Sequence, residues 1–259
     1  MISARFPFLS RKLATIYNVV DLQLFRPSAG DQNGLARSTD VPFRIVVAAS
    51  YQENKNMMGV AEALLLLKQD HCNPAVVIDW FGAVQSDRTP FQQVERFISE
   101  KGLGKTLRLH PATREIAGEY SRADAVGLFS FFEGLPNVIC EGMACGKPII
   151  LSEACDAGNL VRHGRNGFLC DPTTPVSICK AIQQMSSLDP EKRRQMGLES
   201  RKMAEIMFDE SLVLERYEQV LQFAWRREAV AIGCNWAGEA PCSAVATVNR
   251  WKRIISQSE

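Results

Sequence analysis

The chain has 259 residues, a net charge of +1, 46% hydrophobic and 23% charged residues, the make-up of an ordinary globular protein with room for one large domain or two small ones. The near-neutral charge leaves no basic footprint for nucleic acid, and no run approaches the 18 apolar residues of a membrane span. Arg5, Arg11 and Lys12 flank an apolar stretch too short for a secretory signal, so the expected location is cytoplasmic. Along the chain, apolar strand-like runs alternate with amphipathic helical patterns. Strands are expected at 44–49, 75–81, 106–110, 125–129, 148–152 and 167–170. Helices are expected at 56–69, 90–101, 114–122, 136–145, 174–186, 190–207 and 210–227, and the run around 61–67, the longest apolar one, falls in the first of them. Continuous apolar strands between amphipathic helices predict a doubly wound α/β domain with a parallel sheet covered on both faces. Residues 28–40, rich in Ser, Gly, Asp and Asn, read as a surface loop.

The eight cysteines (Cys72, Cys140, Cys145, Cys155, Cys170, Cys179, Cys234 and Cys242) form no C-x-x-C pair, and the chain has three histidines, which disfavours a zinc site; no metal is expected. Most of the cysteines lie in apolar stretches and read as reduced core residues.

The most informative string is EGLPNVICEGMACGKPIILSE, residues 133–153. It sets two carboxylates, Glu133 and Glu141, eight positions apart around a Gly134-Leu135-Pro136-Asn137 turn, followed by a small-residue helix end and an apolar strand. Pro136, with a fixed φ and no N–H, suits the first turn of a helix. Glu133 then precedes the helix and Glu141 lies one to two turns inside it. Eight residues at 100° bring the second carboxylate to within about 80° of the first, roughly 12 Å along the axis, about the length of a nucleoside diphosphate sugar. The free N–H groups and positive dipole end at the helix start suit a phosphate. Bland readings exist for the same residues: Ser130 and Glu133 fit a capping box, which Gly134 and Pro136 would interrupt, and Glu141 alone fits a solvated helix position.

From Ser130 to Ile150 this string resembles the donor-binding signature of the retaining GT-B glycosyltransferases, the group 1 or family 4 set. Further landmarks occur in order: Ile16 to Asp21 with Phe25-Arg26-Pro27, Arg122 to Ala125, Asn166 to Leu169, Phe208-Asp209 and Arg216-Tyr217. The resemblance covers about residues 14–226. It implies that Glu133 contacts the transferred sugar near its reacting carbon and is the catalytic residue, and that Glu141 binds the ribose hydroxyls. It implies a diphosphate site at Lys55, in the loop after the first strand, with the 134–137 backbone. Alone, Lys55 would read as a solvated surface lysine. The family's arginine, five positions before that lysine, is replaced here by Ser50, which can hydrogen-bond a phosphate but brings no charge. His110, ending a strand at the ligand edge, either lines the nucleotide site or is structural. His163 lies near another family loop.

Two other patterns are discounted. Gly104-Lys105-Thr106 lacks the glycine that a phosphate-binding P-loop needs five residues earlier, where Ser99 stands, and no G-x-G-x-x-G follows a strand. The resemblance implies no cofactor beyond the nucleotide-sugar substrate. It also implies that residues 1–15 are a linker or remnant, that 16–227 form the nucleotide-sugar-binding domain, and that the N-terminal acceptor domain of the family is absent. Residues 228–259 match nothing; Trp251 to Ile255 would suit a peripheral membrane contact or an exposed terminal helix. The expected function is the donor half of a glycosyltransferase, acting with an acceptor-domain partner and inactive alone. The alternatives are a non-catalytic nucleotide-sugar-binding subunit or truncated remnant and, less well matched, a nucleotide-sugar epimerase.

Overall fold

The computed structural model describes residues 15–28, 41–69, 75–154 and 157–231. The expectations for residues 1–14, for most of the 28–40 loop, for the tail beyond 231 and for Cys72, Cys155, Cys234 and Cys242 lie outside the described residues. The chain divides into two compact units, Thr15–Val213 and Met1–Ala14 with Leu214–Glu259. The sheet and the site belong to the first.

Six strands form one sheet: β1 (Phe43–Ala48), β2 (Val76–Gly82), β3 (Leu107–Pro111), β4 (Ala125–Leu128), β5 (Ile149–Ser152) and β6 (Gly167–Cys170). Their order is β3-β2-β1-β4-β5-β6 and every pairing is parallel. The helices are α1 (Met57–Gln69), α2 (Thr89–Lys101), α3 (Ile116–Arg122), α4 (Asn137–Ala144), the short α5 (Ala157–Leu160), α6 (Pro175–Ser186), α7 (Pro190–Phe208) and α8 (Glu210–Ala231). The expected strand ends hold to within one residue and the helix ends to within about four.

Alternation along the buried strands sorts two cores. Ile45, Val47, Ile78, Trp80 and Leu107 face α1, α2 and α6. Val46, Val126, Leu128, Ile149 and Leu151 face α3, α4, α5 and α7. Such two-sided burial makes the strands read as unbroken apolar runs. Helix α4 lies close on β4, since a Cβ at Gly142 would come within 2.9 Å of Val126. Its C-terminal end meets α7 backbone to backbone, where a Cβ at Gly197 would sit 2.1 Å from the Gly146 carbonyl. Arg201 on α7 fastens this corner by donating to the Ala144 and Phe25 carbonyls at 2.7 and 3.0 Å. Of the described cysteines, Cys140, Cys145 and Cys170 are buried and Cys179 is half-buried. Among the described residues, no helix is long and apolar enough to cross a membrane.

Candidate functional site

The strand order reverses between β1 and β4. In an open parallel sheet, the crevice beyond the strand C-termini at this point is where ligands bind. The loops that leave these strands carry Ser50, Lys55, Glu133 and residues 134–136, Asn137 and Glu141 lie in the helix that follows the second loop, and His110 lies on β3. A backbone bond from Phe131 N–H to the Asn54 carbonyl, 2.9 Å, ties the loops together. Asn56, buried with φ +62°, closes the first loop. Its amide donates to the Phe129 and Pro172 carbonyls at 3.2 and 2.8 Å, joining the ends of β1, β4 and β6. Lys55 thereby points across the crevice and forms an ion pair with Glu133. The same carboxylate oxygen accepts from the buried Ser130 hydroxyl at 2.9 Å. Ser130, which the sequence offered as half of a capping pattern and as the first residue of the signature string, joins the candidate site. No helix starts there; the hydroxyl fixes the Glu133 carboxylate instead. The Ser130 carbonyl in turn accepts from Ser152 Oγ at 2.6 Å.

Pro136 departs from its expected place in the first helical turn. With ψ +91° it stands just outside α4 as the N-cap, and its carbonyl accepts from Ile139 and Cys140. No side chain caps α4, so the amides ahead of Ile139, at Asn137 and Val138, have no capping side chain and face the position a ligand would take. Gly134 is exposed with open space around its Cα, Leu135 packs partly on the core and Pro136 is buried. Asn137 is exposed and accepts from the Asn18 amide at 2.9 Å. Glu141, half-buried inside α4, faces Tyr120 of α3. Burial pushes its carboxyl above the ordinary glutamate range, and the Tyr120 hydroxyl opposes that rise. Ser50 is half-buried in the loop after β1, its carbonyl accepting from Gln52 N–H at 2.9 Å.

Beside this crevice, a cavity of about 430 Å³ opens at the C-terminal ends of β1, β2 and β3, lined by Tyr51, Gly82, Ala83, Val84, Phe91, Leu109, His110, Pro111 and Ala112. The Tyr51 hydroxyl donates to the Trp80 and His110 carbonyls at 2.9 and 2.5 Å, and burial pushes its pKa up to about 12. His110 lines the cavity, but its ring also lies 2.9 Å from Asp79 and stacks on Phe81 at 4.6 Å. Asp79 binds Arg44 at 2.6 Å, and Arg44 also grips Glu119 of α3. His163 is structural: its Nδ1 accepts from Leu169 N–H at 3.2 Å. A hollow of about 490 Å³ between residues 24–28 and α3 is lined by none of the predicted site residues. Among the described residues, no group of three or more His, Cys, Asp or Glu side chains is placed to hold a metal.

A six-stranded doubly wound sheet with these loops at its switch point defines a Rossmann-like domain of the GT-B glycosyltransferase type. The chain belongs to the family described as glycosyl transferases group 1, whose profile matches residues 36–203. A D-inositol 3-phosphate glycosyltransferase of Paenarthrobacter aurescens is 25% identical over 181 residues, 69% of this chain and 44% of the relative. The chain spans about half the length of the curated relatives it matches, from 34% to 54%. Among solved structures, Anabaena Alr3699/HepE in complex with UDP superposes with a TM-score of 0.70 at 23% identity, covering 81% of this chain and 57% of that one. The C-terminal domain of a group 1 family protein (LpcC) from Francisella tularensis superposes at 0.63 with 20% identity, covering 74% of this chain and 99% of that domain.

Proposed function

We propose that this chain is the donor-binding part of a retaining glycosyltransferase, moving a sugar from a nucleotide sugar to an acceptor hydroxyl. In that reaction the bond from the anomeric carbon to the diphosphate breaks, and its electron pair leaves with the diphosphate. A bond to the acceptor oxygen forms on the same face, and the acceptor hydroxyl gives its proton to the departing diphosphate oxygen. Lys55 and the open amides of α4, with Gly134 to Asn137, receive the diphosphate and its growing negative charge. Glu133 contacts the sugar and is the catalytic residue. Glu141 accepts from the ribose hydroxyls, and the cavity at Tyr51 and His110 takes the base. UDP is the first nucleotide to try, since solved neighbours hold UDP or UDP-glucose. No metal is needed, because amides and a lysine take the charge. The acceptor is supplied against this face by another domain or protein.

The observation that carries this reading is the meeting of Lys55, Glu133 and the uncapped start of α4 at the sheet's switch point. Calorimetry with UDP, ADP and GDP tests it. One of them should bind, and Glu141→Ala should weaken it by about 1–3 kcal/mol. Equal affinities for wild type and variant would remove Glu141 from the site. A second reading, a nucleotide-sugar-binding subunit without turnover, draws on Ser50, which leaves the phosphate side one cation short. Donor hydrolysis or transfer in the presence of an acceptor-domain partner would eliminate it.

A further inference from the structure

Tyr120 is fully buried, and its hydroxyl is the buried side-chain polar atom that makes no hydrogen bond of ordinary geometry among the described residues. A buried hydroxyl left unbonded is costly, so sequences shed such groups where phenylalanine would serve. The fold nevertheless holds this one firmly. Arg44 donates to both the carboxylate and the carbonyl of the preceding Glu119, at 2.6 and 3.2 Å, and its other edge is held by Asp79. Just past α3, Asp124 accepts from the Arg44 N–H at 2.8 Å. The Tyr120 ring packs against Phe25 with centroids 6.3 Å apart. Held from both sides, Tyr120 packs in one buried cluster with Ile139, Cys140 and Met143, the α4 residues around Glu141, and burial, helped by the Glu141 charge, pushes the phenol above its ordinary range.

We propose that Tyr120 is a positioning residue for Glu141: its hydroxyl donates to the inner carboxylate oxygen when ribose hydroxyls donate to the outer one. The inference rests on the ribose reading of Glu141 and extends it. A free Glu141 can swing about its side-chain torsions. A second donor behind it holds the carboxylate in the orientation that accepts both sugar hydroxyls.

Selectivity for ribose tests this, because a merely structural tyrosine would alter all ligands alike. The purified full chain, Tyr120→Phe and Glu141→Ala are titrated by calorimetry with UDP, ADP and GDP and with the 2′,3′-dideoxy form of each. For the base that binds tightest, the wild type should prefer the ribose form by on the order of tenfold, the worth of a hydrogen bond to a charged group. Tyr120→Phe should lose most of that preference while binding the dideoxy form as the wild type does. Its melting temperature should stay the same or rise, since an unbonded hydroxyl has left a dry site. If Tyr120→Phe keeps the preference while Glu141→Ala loses it, the positioning role is wrong and the ribose reading stands. If Tyr120→Phe weakens both forms equally, the tyrosine is only structural. If Glu141→Ala also keeps the preference, the ribose reading falls and the positioning role falls with it.

Discussion

Lys55 and Glu133 are 78 residues apart and meet as an ion pair, and nothing about either side chain alone announces this. Their meeting was legible only through the string around Glu133 and the register of the loop after the first strand. The role of Ser130 beside Glu133 was not legible, because it is set by the path of the loop after β4. Ser50 is where residue chemistry gives the sharpest expectation. A serine brings no charge to the phosphate side, so Ser50→Arg should tighten binding of the diphosphate, and the gain should shrink as added salt screens it. Unchanged affinity at low ionic strength would mean that another cation already serves. Glu141 adds a pH dependence. Burial raises its carboxyl above the usual range, so the acceptor form for ribose is lost at a higher pH than for an exposed glutamate. Nucleotide affinity measured from pH 7 downwards should therefore begin to fall before ordinary carboxylates titrate, and Glu141→Ala should flatten that fall.

At the scale of elements, periodicity revealed strands and helices because buried parallel strands and amphipathic helices differ in apolar pattern. It could not reveal the loop geometry that places Lys55. That depends on Asn56, the one described non-glycine residue with positive φ. Asn56→Ala should lose both amide bonds and strain the backbone. Asn56→Gly loses the same bonds without the strain, so the alanine variant should be less stable than the glycine variant by about 1 kcal/mol in thermal melts. Both should weaken nucleotide binding, since either loosens the joint between the β1 and β4 loops. The polar cluster on the sheet face was likewise hidden, because Asp79 lies in an apolar run and looks misplaced until Arg44 and His110 are seen around it. Burial alone would raise the Asp79 carboxyl; the bonds from His110 and Arg44 outweigh it and hold it below its ordinary value of 3.8. A carboxylate depressed in the fold adds stability above its unfolded pKa and loses it as the pH falls through the folded one. Asp79→Ala should therefore cost about 1.5–3 kcal/mol near neutrality. The gap to the wild type should begin to narrow as the pH falls towards 3.8 and go on narrowing through the lower folded pKa, and a gap independent of pH would show that the charge is not what holds α3.

For the molecule as a whole, the candidate site lies on one edge of one sheet, at a single lip of loops. Phe132, beside Glu133, is 67% exposed, and Phe131 and Val84 are also open to solvent at that edge. Exposed apolar side chains beside a polar crevice are what the proposed partner surface would present. Transfer needs the acceptor hydroxyl held at the donor's anomeric carbon, and such positioning can contribute roughly 7–11 kcal/mol of barrier lowering. On the proposed reading, the 15–213 unit offers groups for the donor, and Glu133 would touch the sugar without positioning an acceptor. Relatives about twice as long have chain enough for a second wall. A polypeptide of these 259 residues, assayed alone, is accordingly expected to bind a nucleotide sugar and to glycosylate no acceptor, while a matching acceptor domain added in trans should restore turnover that Glu133→Ala abolishes. Glycosylation by the purified chain without a partner, abolished by Glu133→Ala, would overturn this: the acceptor would then have to be held by the chain's own surface or by a second copy across the Phe131–Phe132 rim. Sedimentation of the active species would separate those two, because only the second makes activity rise with the fraction of dimer.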